Sequence, residues 1–199
     1  MTDKPLGKQL GWHLLGSTCL LATPWLRLRQ DQLLLGQEST TYEYLQQPAA
    51  VFIVPVMADG TVVLIRQYRY PVDQWCLEVP AGGLHDHPDA YNPNVSQTVL
   101  AAVARKELAE EIGGTCRELL YQGCFYPTTS RSDERSHVFL ALGVTLEQPQ
   151  ALENGELIER VLLNAAEAMH LASSAQMPDA KSALALLWCA AELKARGLL

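Results

Sequence analysis

The stretch Arg105-Lys-Glu-Leu-Ala-Glu-Glu-Ile-Gly113 carries three glutamates at helical spacing. Glu107, Glu110 and Glu111 stand at positions i, i+3 and i+4, so a helix would place the three carboxylates on one face. Like charges this close cost roughly a few tenths of a kcal/mol per pair unless a cation lies between them. Hard divalent cations such as Mg²⁺ bind clusters of carboxylate oxygens. The cluster alone fits either a metal site or a solvated charged face.

The sequence around the glutamates predicts one central helix between strands. The helix is predicted over Gln97–Ile112, where Ser96 can cap its start and Gly113-Gly114 can end it. Apolar or alternating runs from Ala50–Val56 to Leu157–Leu163 read as strands on both sides of this helix. Two more helices are predicted, near Ala165–Leu171 and from Asp179 to about Arg196. Strands on both sides of one central helix indicate an α+β sandwich, because a doubly wound fold would alternate strand and helix.

The N-terminal region, residues 1–47, is predicted to form a small antiparallel sheet. Short strands over Leu26–Leu28 and Gln32–Leu35 are expected to flank a turn at Arg29–Asp31, and Thr41–Leu45 alternates like a further strand. A sheet of this size is too small to be stable alone. We therefore expect it to pack on the main domain, residues 48–199, or to pair with a second subunit.

The charge balance narrows the class of ligand. The 199 residues include 15 basic and 22 acidic side chains, for a net charge of −7. A broad basic face for nucleic acid is therefore not expected. An acidic protein can still bind an anionic substrate when metal ions supply the positive charge.

The cysteines and the hydropathy favour a cytoplasmic protein. The five cysteines are odd in number and widely spaced, without a C-x-x-C motif, which argues against a disulfide framework or a zinc finger. Leu14–Ala22 is apolar but lacks a basic leader, and no stretch reaches the ~18 apolar residues of a membrane span. We expect no membrane association.

The helix and its flanking segments together resemble the Nudix hydrolases. Glu107, Leu108, Glu110, Glu111 and Gly113 match the second half of the Nudix box. Further segments resemble the ADP-ribose pyrophosphatase, or nucleoside-diphosphate-sugar hydrolase, branch, and the resemblance covers nearly the whole chain. They are Gln67-Tyr-Arg-Tyr-Pro-Val72, Leu77-Glu-Val-Pro-Ala-Gly82, Tyr126-Pro127, Ser132-Asp-Glu134 and Asp179-Ala-Lys-Ser182. The resemblance implies a Nudix-type α/β/α sandwich carrying a small N-terminal sheet.

The sequence departs from the family pattern in four places. The spacing from Gly82 to Lys106 is about ten residues longer than in the pattern, which places an insertion in the Leu84–Ser96 loop. Thr98 stands where the first box glutamate belongs, and Lys106 replaces the box arginine without its fork geometry. Thr129-Ser130-Arg131 replaces the usual Pro-Gly-Phe, which bears on the identity of the sugar nucleotide.

The resemblance implies Mg²⁺-dependent hydrolysis of the pyrophosphate bond in a nucleoside diphosphate sugar. The products would be a nucleoside monophosphate and a sugar phosphate, the default substrate is ADP-ribose, and related ADP-, GDP- or UDP-sugars are alternatives. Mn²⁺ is the alternative metal. The implied metal ligands are Glu107 and Glu111 with Glu110 assisting, and the Ala81 carbonyl.

The remaining site residues are also implied by the resemblance. Glu153 and Glu156 in a late acidic loop share the role of general base, with Glu153 preferred, and Glu111 counts as catalytic through its metal role. The substrate-binding candidates are Arg69 for the diphosphate, Glu78 as support, Arg131 as a phosphate or sugar contact, and Glu134 in the substrate loop.

Two alternatives stay open. The missing first glutamate and Lys106 would also fit a non-catalytic Nudix-like sensor of nucleotide sugars, although the three metal-site glutamates favour an enzyme. His85-Asp86-His87 has the residue types of a metal site, but no third ligand is evident from the sequence. The family also implies a homodimer formed through segment 1–47, with residues 48–199 as the hydrolase domain.

Overall fold

The N-terminal region of the chain is a short helix followed by a three-stranded meander. The computed structural model describes residues 4–174 and 176–199. The antiparallel strand order is β1-β2-β3. The elements are α1 (Pro5–Gln9), β1 (Trp12–Ala22), β2 (Arg27–Leu35) and β3 (Glu38–Gln46).

The turn predicted at Arg29–Asp31 is wrong, because β2 runs through it without a break. Arg29 pairs with Tyr44 and Asp31 with Tyr42 along the whole length of β3. Asp31 is buried and accepts a hydrogen bond from the Ser17 hydroxyl on β1. A polar triplet that resembles a solvent-exposed turn is therefore a regular part of the strand, with Asp31 buried and the Gln30 side chain bonded to Glu43 at the surface.

The rest of the chain forms a mixed sheet with helices on both faces. The elements are β4 (Ala50–Met57), β5 (Thr61–Arg69), a single 3-10 turn (Tyr70–Val72), β6 (Gln74–Glu78), β7 (Ala81–Gly83), α2 (Gln97–Ile112), β8 (Gly114–Thr115), β9 (Glu118–Phe125), β10 (Ser136–Leu146), β11 (Ile158–Asn164), α3 (Ala165–Ser173) and α4 (Ala180–Ala195). The main path of the sheet is β11-β5-β4-β10-β8, with β6 on β5, β7 on β4 and β9 on β10. Strands β4 and β10 are parallel, and the other pairs are antiparallel.

Two apolar cores hold the layers together. Val51 and Ile53 face α2, whereas Phe52, Val54 and Val56 face α3 and α4. Strand β4 therefore buries both of its faces, which explains its continuous apolar sequence. The predicted α/β/α sandwich is confirmed.

Helix α2 has the predicted bounds. The Ser96 hydroxyl accepts the Val99 N–H at 3.3 Å, which satisfies one of the free amides of the first turn. Gly113 ends the helix with a φ of 63°, in the left-handed region that glycine tolerates best. These two caps fix where the carboxylate face of the helix lies along the sheet.

The inserted loop, residues 84–96, packs between the two sheets. The Leu84 N–H donates to the Ala49 carbonyl at 2.9 Å, and the Ala49 N–H donates to the Ala90 carbonyl at 3.1 Å. The Arg27 guanidinium lies 4.0 Å from the centre of the Tyr91 ring. The insertion thus contacts both the start of β4 and the N-terminal sheet.

In the described part of the chain, no helix combines the length and the apolar content needed to cross a membrane.

Candidate active site

Two carboxylates of α2 lie directly beneath strand β7. The Ala81 N–H donates to Glu111 Oε2 at 2.8 Å. The Glu107 carboxylate packs against the Cα of Gly82 so closely that a Cβ at this position would overlap the Glu107 carboxyl group. Gly82 is therefore needed for close approach, and the short strand fixes both carboxylates in place.

Both carboxylates have raised pKa values because they are buried. Burial raises the pKa of Glu107 to about 7, and the charges of Glu110, Glu156 and Glu153 add to this rise. Burial also raises the pKa of Glu111 well above its usual range, against the opposing hydrogen bond from Ala81. Among the described residues, Glu111 has no lysine or arginine within ion-pair distance. Two carboxylates packed against β7, one of them without an ion-pair partner, form a site suited to a cation, which would stabilise their charged forms.

The third glutamate of the cluster is already paired. Lys106 Nζ lies 2.8 Å from Glu110 Oε2 and 4.0 Å from Glu107 Oε1. Lys106, which stands in the place of the box arginine, therefore neutralises Glu110 first. Glu107 and Glu111 are left as the carboxylates most open to a metal ion.

The late acidic loop is anchored to the C-terminal end of α2. The Ala151 N–H donates to the Glu110 carbonyl at 2.8 Å, and the Gln150 side-chain amide donates to the Glu111 carbonyl at 2.6 Å. The Glu153 N–H donates to Glu156 Oε2 at 2.9 Å. Glu156 raises the pKa of both Glu107 and Glu111, whereas the effect of Glu153 falls on Glu107. The loop thus brings acidic side chains to the same cluster.

A cavity of about 420 Å³ opens along the edge of β7, above this cluster. Arg69 and Glu78 line it and form a bidentate ion pair through Arg69 Nε, at 2.8 Å, and Arg69 Nη2. The guanidinium is thereby held in one orientation, as phosphate recognition requires. The other lining residues are Ala50, Phe52, Pro71, Val72, Gln74, Cys76, Ala81, Gly82, Gly83, Pro178, Asp179 and Lys181.

Arg131 and Glu134 lie away from the walls of this cavity. Arg131 is exposed and lines a larger groove beside the N-terminal sheet, where its carbonyl accepts the Leu45 N–H at 2.8 Å. Glu134 is buried and accepts the Ser136 hydroxyl at 2.8 Å. Its Oε1 also lies 3.5 Å from Lys181 Nζ, so it reaches the cavity only through that lysine.

Two residues of the site were not among the predicted site residues. Lys181 lies at the start of α4 with its Nζ 4.9 Å from the centre of the Phe52 ring, and both side chains line the cavity. Asp179 caps this helix by accepting the Ser182 N–H at 2.9 Å. The Pro178-Asp179 sequence predicts the helix start, but only the fold brings it opposite β6 and β7.

The chain is similar to known proteins over most of its length. The model of the NUDIX domain matches residues 46–185. An ADP-ribose pyrophosphatase of Bacillus subtilis (strain 168) is 30% identical over 158 residues, which cover 79% of this chain and 80% of the relative. A methanol dehydrogenase activator of Bacillus methanolicus is 26% identical over 163 residues, or 81% of this chain and 83% of the relative.

The fold is similar to that of a solved structure. The crystal structure of an ADP compounds hydrolase superimposes with a TM-score of 0.76 at 21% sequence identity, covering 94% of this chain and 97% of that one. This likeness confirms the sandwich fold. Since the family model spans most of the chain and its helix carries the buried carboxylates described above, the chain belongs to the Nudix family and is a Nudix pyrophosphatase.

Proposed function

We propose that the protein hydrolyses the pyrophosphate bond of a nucleoside diphosphate sugar, with Mg²⁺ as the metal and Mn²⁺ as the alternative. ADP-ribose or a related ADP-, GDP- or UDP-sugar would yield a nucleoside monophosphate and a sugar phosphate. One observation carries the proposal: the buried Glu111 and the largely buried Glu107 contact β7, whose residues line a cavity that also holds an oriented guanidinium, Arg69. The Bacillus subtilis relative named ADP-ribose pyrophosphatase supports this choice of substrate.

The donor set fits a hard divalent cation. Glu107 and Glu111 offer carboxylate oxygens, the Ala81 carbonyl would complete the set, and Glu110 would assist once Lys106 releases it. When bound, such ions neutralise the diphosphate and acidify a water molecule. Burial is the main cause of the raised pKa values of both glutamates, and a bound cation would offset this penalty on their charged forms.

Between the two loop glutamates, the charge coupling favours Glu156 as the general base. Glu156 acts on both metal-site carboxylates, whereas Glu153 acts on Glu107 and on Lys106. Its carboxylate accepts the Glu153 N–H, which holds the turn of the loop around Gly155. A carboxylate so placed can accept a proton from an acidified water.

The cavity supplies contacts for the part of the substrate beyond the metal site. Arg69, fixed by Glu78, is the candidate for a diphosphate oxygen, and Lys181 adds a second positive charge on the α4 side. Glu134 orients Lys181 rather than touching the cavity itself. Arg131 would need a ligand that extends into the groove by the N-terminal sheet.

The experiment is a panel of nucleotide sugars assayed for nucleoside monophosphate release with Mg²⁺, with Mn²⁺ and with EDTA. We expect turnover of at least one ADP-sugar with metal and none with EDTA. Turnover that persists in EDTA would contradict the metal assignment. Tight binding across the panel with zero turnover would support the sensor instead.

A second candidate role comes from the relative named methanol dehydrogenase activator. The chain would then stimulate a partner dehydrogenase. Adding the protein to such a dehydrogenase, with and without the Glu111→Gln substitution, separates the two roles. Stimulation that survives this substitution would show an activating role independent of hydrolysis.

We also propose a homodimer formed through the N-terminal sheet, residues 1–47, beside a hydrolase domain of residues 48–199. Strand β1 carries exposed apolar side chains, among them Leu14, Leu15, Leu20 and Leu21. Apolar surface of this extent is typical of an interface. Sedimentation that shows only monomer at micromolar concentration would contradict the dimer.

The free cysteines support a reducing, cytoplasmic location, and the net charge of −7 supports a role without nucleic acid. We also propose that the protein works without a membrane partner.

A further inference from the structure

We propose that His85, Asp86 and Glu153 form a second cation site, separate from the carboxylates of α2 and selective for a transition metal such as Zn²⁺. The site goes beyond the proposed hydrolysis and does not depend on it. His85 and Asp86 belong to the inserted loop, whereas Glu153 comes from the late acidic loop far along the sequence.

The three side chains converge on one point. One ligand atom from each of them lies within 4.8 Å of the others. His85 Nε2 and Asp86 Oδ2 are 3.2 Å apart. A single ion can bind three such atoms with modest side-chain rotation, because metal–ligand distances for nitrogen and oxygen are about 2.0–2.2 Å.

The two loops that carry this site are held in place by β7 and α2, the elements of the candidate active site. His85 Nδ1 lies 3.4 Å from the position that a Cβ on Gly83 would occupy, so the ring packs on β7. Its other nitrogen, Nε2, faces the Asp86 carboxylate. On the opposite side, Ala151 and Gln150 donate to carbonyls of α2 and hold the late loop against that helix, and the Glu153 N–H donates to Glu156 within the loop.

The ligand set differs from that of the α2 site. Mg²⁺ prefers oxygen ligands, whereas an imidazole with carboxylates suits Zn²⁺, Ni²⁺ or Fe²⁺. The Asp86 side chain is 83% exposed, so an ion can enter from solvent and keep a water ligand. A bound ion would join the two loops that flank the catalytic carboxylates.

His87 provides a matched control within the same loop. Its Nδ1 accepts the Asp89 N–H at 3.0 Å, so this ring is engaged with its own turn. It is two residues from His85 and has the same chemistry, but it is outside the ligand set. An ion bound at the proposed site should therefore shift the resonances of the His85 ring and leave those of the His87 ring unchanged.

The test is a Zn²⁺ titration followed by NMR of the imidazole resonances, with excess Mg²⁺ present to occupy the α2 carboxylates. The chain has five histidines, so the spectrum is simple, and thiol binding elsewhere does not mimic a shift of the His85 ring. We expect the Nε2 resonance of His85 to move with Zn²⁺ while the His87 ring stays unchanged. Glu153→Gln should raise the Zn²⁺ midpoint by about tenfold or more, since even partners beyond the direct ligands contribute that much.

The Zn²⁺ shift should persist in Glu111→Gln, a variant in which the proposed hydrolysis is lost. Failure of the second site and failure of the proposed function are thereby distinguished. Equal shifts of His85 and His87 would overturn the proposal. So would an unmoved His85 ring, or a midpoint that Glu153→Gln leaves unchanged.

Discussion

The carboxylate face of α2 and the outer face of the N-terminal sheet both differ from an ordinary protein surface, but in opposite ways. The first buries charged groups, and the second exposes apolar side chains. Below β7, the carboxylates of Glu107 and Glu111 are buried with little compensating charge. On β1, apolar side chains such as Leu20 and Leu21 are exposed to solvent. Each arrangement is costly for an isolated chain. We infer that each face is completed by something else: cations in the first case, a second copy of the chain in the second.

The largest effect is expected from Glu111→Gln. The amide fits the same space and can still accept the Ala81 N–H, so the protein should stay folded. Loss of one metal-site charge should reduce turnover by about 10³-fold or more. The rate of nucleoside monophosphate release measures turnover, and circular dichroism measures folding.

Glu110→Gln is the matched control for this variant, because its carboxylate is paired with Lys106. Its loss of turnover should be clearly smaller. Near-normal turnover in Glu111→Gln would contradict the metal site itself.

Glu107→Gln tests the cost of burying charge. The pKa of Glu107 is raised from 4.5 to about 7, mainly by burial. The folded state therefore binds more protons than the unfolded state between these pH values, and stability falls as pH rises through this range. A shift of this size is worth roughly 3 kcal/mol, so without metal the variant should be the more stable protein at pH 8 and lose that advantage near pH 4.

Denaturant unfolding at the two pH values, with and without Mg²⁺, measures this effect. Mg²⁺ should stabilise the wild-type protein more than the variant. Equal stability of both proteins at pH 8 without metal would show that the carboxylate is not under strain from burial.

Gly82→Ala tests how closely β7 holds the Glu107 carboxylate. The new methyl group would overlap the Glu107 carboxyl group and displace it. A displacement of about 1 Å costs on the order of 10²-fold in rate. The measurement is turnover at saturating Mg²⁺, with Gly16→Ala as control, since a Cβ there has no neighbour within 4 Å. Unchanged turnover in Gly82→Ala would mean that the carboxylate can move freely.

The smallest effect on turnover is expected from Leu20→Asp on the N-terminal sheet. Leu20 is 50% exposed, so the free energy of unfolding of one protomer should change by only about 0.5 kcal/mol. The protein concentration at which half of the chains are dimeric should rise by about tenfold or more over the wild type, because a charge enters an apolar interface. Leu162→Asp on β11, with a similar exposure of 51%, is the control. Identical sedimentation of both variants and the wild type would place the interface elsewhere.

The sequence predicted the regular parts of the fold because their signals are local. The bounds of α2 follow from Ser96 and Gly113, and both caps are present in the structure. The N-terminal sheet was harder to predict from the sequence, because the polar triplet at Arg29–Asp31 resembles a turn. The triplet lies within β2, where Asp31 accepts a hydrogen bond from Ser17 of the neighbouring strand β1. A local sequence pattern does not contain that contact.

For the candidate site, the sequence determined the chemistry and the tertiary structure decided the partners. The i, i+3, i+4 spacing was enough to group Glu107, Glu110 and Glu111, since helix geometry alone fixes it. Which of them is neutralised depends on where Lys106 reaches, and which are buried depends on β7. The approach of Lys181 and of Glu153 depends on the packing of segments far apart in the chain. Long-range packing sets burial and charge coupling, so only the folded structure could decide them.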